Sequence, residues 1–267
     1  DNGNIAYTAT VSGMHRSGTD KGPINFYISR NGGKDWDLAG ICETCGGAKM
    51  LAVQPGDSNV VWAATNNGVQ VSRDGGKSWS GNLIEQHTRH AEILGVALRP
   101  GDPDTVLAAG AEAGMFRSTD GGETWVTANL GLGTQLLHQV IFAPSNPDVA
   151  YVATHDGVYR SDDAGVSWVE RNNGLLYKFT TPIAVDPRDE DVVFAGSASE
   201  VYTTHPNHFN PGLHEGEGLY KSTDGGRSWF RSDTGIDEAK IVQMGTHPLL
   251  PFNLWADGES GRGAFFT

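Results

Sequence analysis

The stretch SRDGGKSW at residues 72–79 recurs five times along the chain with small changes. The shared pattern is S-x-D-x-G-x-x-W, and the other four copies read SRNGGKDW at 29–36, STDGGETW at 118–125, SDDAGVSW at 161–168 and STDGGRSW at 222–229. The tryptophans that close the copies are 43, 46, 43 and 61 residues apart. A repeat of this length is typical of a chain built from copies of one supersecondary unit.

The chemistry of the repeated stretch is that of a tight hairpin turn. Adjacent glycines allow the positive φ angles that such turns need. A carboxylate or amide oxygen accepts hydrogen bonds from turn amides, the serine hydroxyl assists, and the tryptophan packs back over the turn. None of these roles needs a ligand. We therefore predict that the residues at the aspartate position are structural, namely Asn31, Asp74, Asp120, Asp163 and Asp224.

Each turn lies within a longer repeat that predicts four strands. A first apolar strand ends in proline and a polar turn, as in KMLAVQPGDS; a second follows, as in VVWAAT; a third, such as GVQVS, leads into the turn; and a fourth begins at the tryptophan. Four strands per roughly 43 residues make one blade of a β-propeller. The prediction is an all-β, single-domain propeller of about six blades, with seven as the alternative, divided into a partial blade at 1–39, blades at about 40–82, 83–130, 131–173 and 174–234, and a partial blade at 235–267.

The repeated turn resembles the Asp-box, or BNR repeat, of a superfamily that includes sialidases, xyloglucanases and sortilin-type receptors. The resemblance covers nearly the whole chain and implies the propeller fold. It carries over no active-site residue, because the early F-R-I-P arginine motif of the sialidases is absent. Photosystem II assembly factors have similar repeats, but the arginine-rich surface expected of them does not match this chain.

Composition limits the partners. The 267 residues carry a formal net charge of −13, so nucleic acid and anionic membranes are disfavoured, and no apolar run is long enough to span a bilayer. Because the chain starts within one blade and stops within another, we expect further chain segments or a partner to close the ring. We also expect a secreted or periplasmic protein. Cys42 and Cys45 form one C-x-x-C, for which a local disulfide is favoured over a free thiol pair or two metal ligands.

Blade topology sorts the loops. The Asp-boxes and the proline turns share one rim, so the loops between second and third strands and between blades occupy the other, where we expect function. Eight of nine histidines map there, and so does an insertion at 197–218 that accounts for the 61-residue spacing. The metal-ligand candidates, for zinc, copper or iron, are His90, His138, His155, His205, His208 and His214.

Three kinds of function remain open at this rim. A metal-assisted enzyme on a small molecule or glycan would use the catalytic candidates His138, His155, Glu92 and Glu215. A non-catalytic module would bind protein or glycan, and a sialidase-like glycoside hydrolase is the third reading. The ligand-binding candidates on the same rim are Arg16, Arg89, Tyr177, Lys178 and Arg262. No compact metal or catalytic signature chooses among these functions.

Overall fold

A computed structural model describes residues 4–11, 23–43, 45–81, 92–198, 218–232, 234, 241–246, 254–258 and 264–266. These residues form antiparallel strands and their connections, and they contain no helix that could cross a membrane. The chain divides into two compact units, Asp1–Thr127 and Ala128–Thr267, called unit 1 and unit 2. Six sheets follow one another in chain order, and we number them as blades 1 to 6.

Unit 1 contains blades 1 to 3. Blade 1 has three strands, β1 (Ala6–Val11), β2 (Ile24–Ser29) and β3 (Asp37–Cys42). Blade 2 has four, β4 (Ala48–Val53), β5 (Val61–Thr65), β6 (Gly68–Ser72) and β7 (Ser80–Gly81). Blade 3 has four, β8 (Ile93–Arg99), β9 (Asp102–Gly110), β10 (Gly114–Ser118) and β11 (Val126–Thr127).

Unit 2 contains blades 4 to 6. Blade 4 consists of β12 (Leu137–Ala143), β13 (Asn146–Thr154), β14 (Gly157–Ser161) and β15 (Val169–Glu170). Blade 5 consists of β16 (Phe179–Asp186), β17 (Asp189–Ala198), β18 (Gly218–Ser222) and β19 (Phe230–Arg231). Blade 6 has three strands, β20 (Ile241–Thr246), β21 (Leu254–Gly258) and β22 (Ala264–Phe266).

The middle strands of the blades carry the core. Every residue of β5 and of β14 is buried, including polar ones, which is typical of strands covered on both faces. In unit 2 one apolar cluster joins blades 4 and 5, with Tyr151 and Ile183 among its members. The continuous apolar runs of the second strands, rather than a strict alternation, are therefore explained by burial between neighbouring blades.

Within each blade the Asp-box lies beside the turn that precedes the second strand. The amide at the fourth position of the box donates to a carbonyl just before or at the start of that strand, as Gly75 does to Asn59 at 2.9 Å and Gly225 does to Asp191 at 2.9 Å. The same bond recurs in the other three boxes, from Gly32 to Asn4, from Gly121 to Asp104 and from Ala164 to Asp148. Boxes and proline turns therefore share one end of their blade.

The box carboxylate is saturated with hydrogen bonds from its own turn. Asp74 accepts from the hydroxyl of Ser72 at 2.8 Å, from the hydroxyl of Ser78 at 2.6 Å and from the amides of Lys77 and Ser78 at 3.1 and 2.9 Å. The bonds from Ser78 in particular lower the pKa of Asp74 to about 2. Hydrogen bonds from the equivalent hydroxyls lower the pKa values of Asp120 and Asp224 to about 2 as well.

The first box departs from the pattern at two positions that compensate each other. Asn31 replaces the aspartate, and Asp35 replaces the serine or threonine four residues later. The Asn31 amide oxygen still accepts from the Ser29 hydroxyl at 3.0 Å, while its Nδ2 donates to the Asp35 carboxylate at 2.8 Å. Donor and acceptor have therefore exchanged places, and the turn keeps its network without bringing two carboxylates together.

A buried ionic contact joins blades 4 and 5 within unit 2. The guanidinium of Arg160, whose side chain is only 9% exposed, donates to Tyr151 at 2.8 Å, to Asp162 at 2.7 Å and to Asp191 at 2.5 Å. A Cβ at Gly225 would overlap this guanidinium. The glycine at that box position therefore admits the arginine as well as providing a φ of +72°.

Cys42 and Cys45 form a disulfide, with their Cα atoms 5.6 Å apart. Both are buried in a cluster with Ile24 and Phe26. The bridge closes the chain after β3, where the polypeptide leaves blade 1 for blade 2.

Candidate functional site

Two predicted site residues meet at the end of blade 4 that lies opposite its Asp-box. His138 is the second residue of β12, and His155 lies in the turn between β13 and β14. Their rings stack with centroids 5.6 Å apart and an interplanar angle of 14°. Both rings contact the edge of Phe179, the first residue of β16, at centroid distances of 4.9 and 4.6 Å. We call these two histidines the His pair.

The environment of His138 keeps its imidazole neutral. Burial is the main cause, and the neighbouring His155 adds to it, so the pKa of His138 falls to about 4. Its Nε2 is buried and has no hydrogen-bond partner among the described residues. The imidazole of His138 therefore packs as an apolar ring against His155 and Phe179 in this structure.

The turn that carries His155 is held by side chains from three directions. Thr154 donates its hydroxyl to the carbonyl of Gly157 at 2.8 Å, and Thr180 donates to the same carbonyl at 3.0 Å. Asn172 accepts from the amide of Val158 at 2.7 Å and donates to the carbonyl of Asp156 at 2.8 Å. A Cβ at Gly157 would overlap Asn172. The turn is therefore fixed before any ligand arrives.

A charged cluster lies next to this turn. Lys178 is placed 3.0 Å from Glu170 and 3.6 Å from Asp156. Asn172 also donates to Glu170, at 2.7 Å. The hydrogen bonds from Lys178 and Asn172 lower the pKa of Glu170, while the hydrogen bond to Glu170 raises the pKa of Lys178. Both side chains are therefore charged across the neutral range.

A cavity of about 460 Å³ opens beside Lys178, and we call it the blade 4 groove. Its walls come from the end of β15, from the segment that leads to blade 5, and from the Asp-box of blade 5. The lining residues are Glu170, Arg171, Asn172, Asn173, Lys178 and Arg227. All six carry polar or charged side chains, so the groove suits a polar ligand.

The groove is anchored to the box of blade 5 by backbone contacts. The indole of Trp229 donates to the carbonyl of Arg171 at 2.7 Å, and the Trp229 amide donates to the carbonyl of Asn173 at 2.9 Å. Gly174, at φ +95°, lies so close to the Trp229 carbonyl that a Cβ would overlap it. Gly131 meets the Trp168 carbonyl in the same way. Gly131 and Gly174 therefore allow the boxes of blades 4 and 5 to contact the segments that lead into those blades.

Lys178, a predicted ligand-binding residue, lines the blade 4 groove, and no other predicted site residue does so in the described part of the chain. Glu92 belongs to unit 1, where it pairs with Lys49 at 2.9 Å. Tyr177 is half-buried beside Lys178, and its carbonyl accepts from Ser197 at 2.5 Å. The remaining candidates lie outside the described residues, namely Arg16, Arg89, His90, His205, His208, His214, Glu215 and Arg262.

Sequence reasoning missed five residues of the groove. Glu170 ends the fourth strand of blade 4, the next three residues follow it, and Arg227 occupies a variable position of the last box. The three that follow the strand are Arg171, Asn172 and Asn173. The available signal was Gly174, a glycine in the blade-to-blade segment that resembles Gly131 one blade earlier. Arg227 was overlooked because the whole box was assigned to the structural rim.

Metal binding has no support from the part of the chain that the structure describes. No group of three histidine, cysteine, aspartate or glutamate side chains is arranged there to hold an ion. The His pair offers two stacked rings, and a stacked pair does not direct two nitrogens to one point. The proposed metal ligands outside the described residues stay predictions.

Comparison with models of protein families identifies the family of this repeat chain. A model described as sortilin, neurotensin receptor 3, matches residues 113–247, just over half of the chain. The chain belongs to the Sortilin-Vps10 family. A BNR/Asp-box repeat model matches residues 70–80, which covers most of the second box. No curated protein matches the sequence of this Sortilin-Vps10 chain.

Solved structures confirm the predicted β-propeller fold class. The Niastella koreensis GH74 enzyme is similar with a TM-score of 0.70 and 20% identity over 92% of this chain and 41% of its own. The GH74 xyloglucanase from Xanthomonas campestris gives 0.67 and 18% over 98% and 42%. YCF48 bound to D1 peptide gives 0.58 and 16% over 88% and 69%. The chain thus spans about two fifths of the GH74 enzymes.

Proposed function

We propose that the protein is a non-catalytic binding module that holds a peptide segment of another protein against the blade 4 groove. One observation carries the proposal: the groove is a preformed polar cavity whose carboxylate, Glu170, is tied to Lys178 and Asn172 rather than poised for chemistry. Such a surface offers hydrogen bonds and charge to a ligand at little reorganisation cost.

Acid–base catalysis is poorly served by the side chains at this place. A glycoside hydrolase needs one carboxylic acid with a raised pKa to protonate the leaving oxygen. Glu170 has a lowered pKa instead, and Lys178 lies between it and Asp156. His138 has a lowered pKa, and its buried Nε2 has no hydrogen-bond partner among the described residues. These features favour binding over turnover.

The relatives support a peptide as the ligand. The family model is described as a neurotensin receptor, and the YCF48 structure contains a bound D1 peptide. A glycan is the second candidate, because the structural neighbours include GH74 enzymes and a xyloglucanase. The metal-assisted reading needs further ligands besides the His pair, and its other histidine candidates and Glu215 lie outside the described part of the chain, as do the arginine candidates Arg16, Arg89 and Arg262.

We place the protein outside the cytoplasm, in a secreted or periplasmic location. The Cys42–Cys45 disulfide supports this, because structural disulfides persist mainly in oxidising compartments. In such a setting a rigid, acidic propeller would present its groove to soluble partners.

Selection from a random peptide library displayed on phage tests the binding proposal. The purified protein should enrich a consensus peptide, and the Lys178→Met variant should bind that peptide about tenfold more weakly, because the cluster around Glu170 and Asp156 loses its cation. Lys34→Met is the matched control, since Lys34 is an exposed lysine in the first box and belongs to unit 1.

Two results would contradict the proposal. Failure to enrich any peptide, together with release of reducing ends from xyloglucan or a sialoside, would show that the protein is a glycoside hydrolase. Enrichment of a peptide that both lysine variants bind equally would move the binding site away from the blade 4 groove.

A further inference from the structure

Two arginines of the blade 4 groove have no anionic partner among the described residues. The guanidinium of Arg171 makes no hydrogen bond or ion pair there, and its Nε is buried without a partner. Arg227 donates only to the backbone carbonyl of Asp224, at 3.1 Å. The other cation of the groove, Lys178, is already committed to Glu170 and Asp156.

Both arginines are held at their backbones rather than at their charged ends. The carbonyl of Arg171 accepts from the Trp229 indole at 2.7 Å, and its amide donates to Val158 at 2.8 Å. The Cβ of Arg171 packs against Gly226, next to Arg227, 3.0 Å from where a Cβ on that glycine would lie. The roots of the two side chains are therefore fixed near each other at one wall of the groove.

The free charge of the groove determines what it can bind. Lys178 lies between the carboxylates of Glu170 and Asp156, so the three cations and two carboxylates of this region sum to a charge of +1 on a protein whose net charge is −13. A polyanion would be repelled by the rest of the surface. A single carboxylate would not, and the planar fork of a guanidinium matches a carboxylate with two parallel hydrogen bonds.

We propose that Arg171 and Arg227 form a carboxylate-binding site, so that the groove selects peptide segments with an aspartate or glutamate at the position facing them. This inference rests on the proposed peptide-binding function and adds the chemistry of the ligand to it. It assigns the two residues that determine specificity, whereas Lys178 and Asn172 hold the groove in shape.

A synthetic peptide array tests this site directly. Every sequence on the array is printed with glutamate, with glutamine and with lysine at the same positions, and a spot of a neutral oligosaccharide that ends in one galacturonate supplies a single carboxylate on a glycan. The wild-type protein should bind the glutamate versions at least about tenfold better than their glutamine counterparts. Arg171→Gln and Arg227→Gln should remove that preference.

The control is Arg188→Gln, which removes one exposed positive charge from unit 2 outside the groove and should keep the preference. Equal binding of glutamate and glutamine versions by the wild type would overturn the carboxylate site and leave peptide binding standing. Absence of binding to every peptide would overturn the proposed function as well. Stronger binding to the galacturonate-ended oligosaccharide than to any peptide would replace the peptide by an acidic glycan.

Discussion

The two ends of blade 4 treat their charged groups in opposite ways. At the Asp-box end, Asp163 accepts hydrogen bonds from Ser161, Val166 and Ser167, all within the same turn. At the other end, Arg171 lines the groove without an anionic partner among the described residues, and its Nε is buried with no hydrogen-bond partner there. A network that is complete within itself is a structural device, whereas incomplete pairing at a preformed cavity indicates a binding site.

The largest effect on stability is expected at Gly174, where the segment that leads into blade 5 contacts the Asp-box of that blade. Gly174→Ala should destabilise the protein by about 3 kcal/mol, since a methyl group would both occupy a left-handed φ and overlap the Trp229 carbonyl. Chemical denaturation measures the loss. Gly101→Ala is the matched control: its φ is +76° with open space around the Cβ, so only about 1 kcal/mol should be lost. Equal losses would mean that the contact with Trp229 is unimportant.

The next largest effect is the pH dependence of stability that His138 causes at the end of blade 4 opposite the Asp-box. The unfolded chain protonates His138 near its ordinary pKa of 6.5, while the folded chain resists protonation down to about pH 4. Stability is therefore fully present above about pH 6.5 and is lost as the pH falls towards 4, by roughly 2–3 kcal/mol. In the His138→Leu variant, the midpoint of urea unfolding should change less with pH over this range. A variant curve that stays parallel to the wild type would contradict the buried, neutral imidazole.

The box end should respond to an exchange of donor and acceptor. Asp74→Asn alone should cost about 1 kcal/mol, because a neutral amide replaces the carboxylate that accepts from the Ser78 hydroxyl, and Ser78→Asp alone should cost a similar amount by opposing two carboxylates. The double variant reproduces the Asn31–Asp35 pair of the first box and should regain most of the loss. Additive losses in thermal unfolding would show that the pairing is not compensatory.

The smallest effect concerns the only non-glycine residue with positive φ among the described residues. Ala164 occupies φ 57° where the other boxes have glycine. Ala164→Gly relieves this conformation but makes the unfolded chain more flexible, so a net gain of only about 0.5 kcal/mol is expected. A loss of stability in a thermal melt would mean that the buried methyl group is needed for packing.

The fold was predictable because every level of the sequence agrees on it. Five boxes in phase, the proline turns and the apolar second strands each specify the same blade, and the amide bonds such as that from Gly75 to Asn59 join the predicted turns in space. The blade limits follow from short-range chemistry. A repeat period therefore gives far more information about architecture than about any single site.

The site was predictable only in part. Topology placed His138 and His155 on one rim, and the structure brings their rings together. Blade topology could not reveal that Phe179 contacts both rings, because that contact depends on how blade 5 packs against blade 4. Arg227 was hidden for a further reason: a solvent-facing position inside a structural motif carries no pattern of its own.

The central claim is that the groove binds the ligand and that the box carboxylates only stabilise their turns. Its most direct test is a titration with the peptide selected from the phage library, in which the chemical shifts of the backbone amides are measured. The account predicts that the largest nuclear magnetic resonance shift changes fall on residues 170–178 and on Arg227, while the amides of Lys77 and Ser78, bound to Asp74, stay unchanged. Largest changes at the amides of Lys77 and Ser78, with residues 170–178 and Arg227 unmoved, would contradict it.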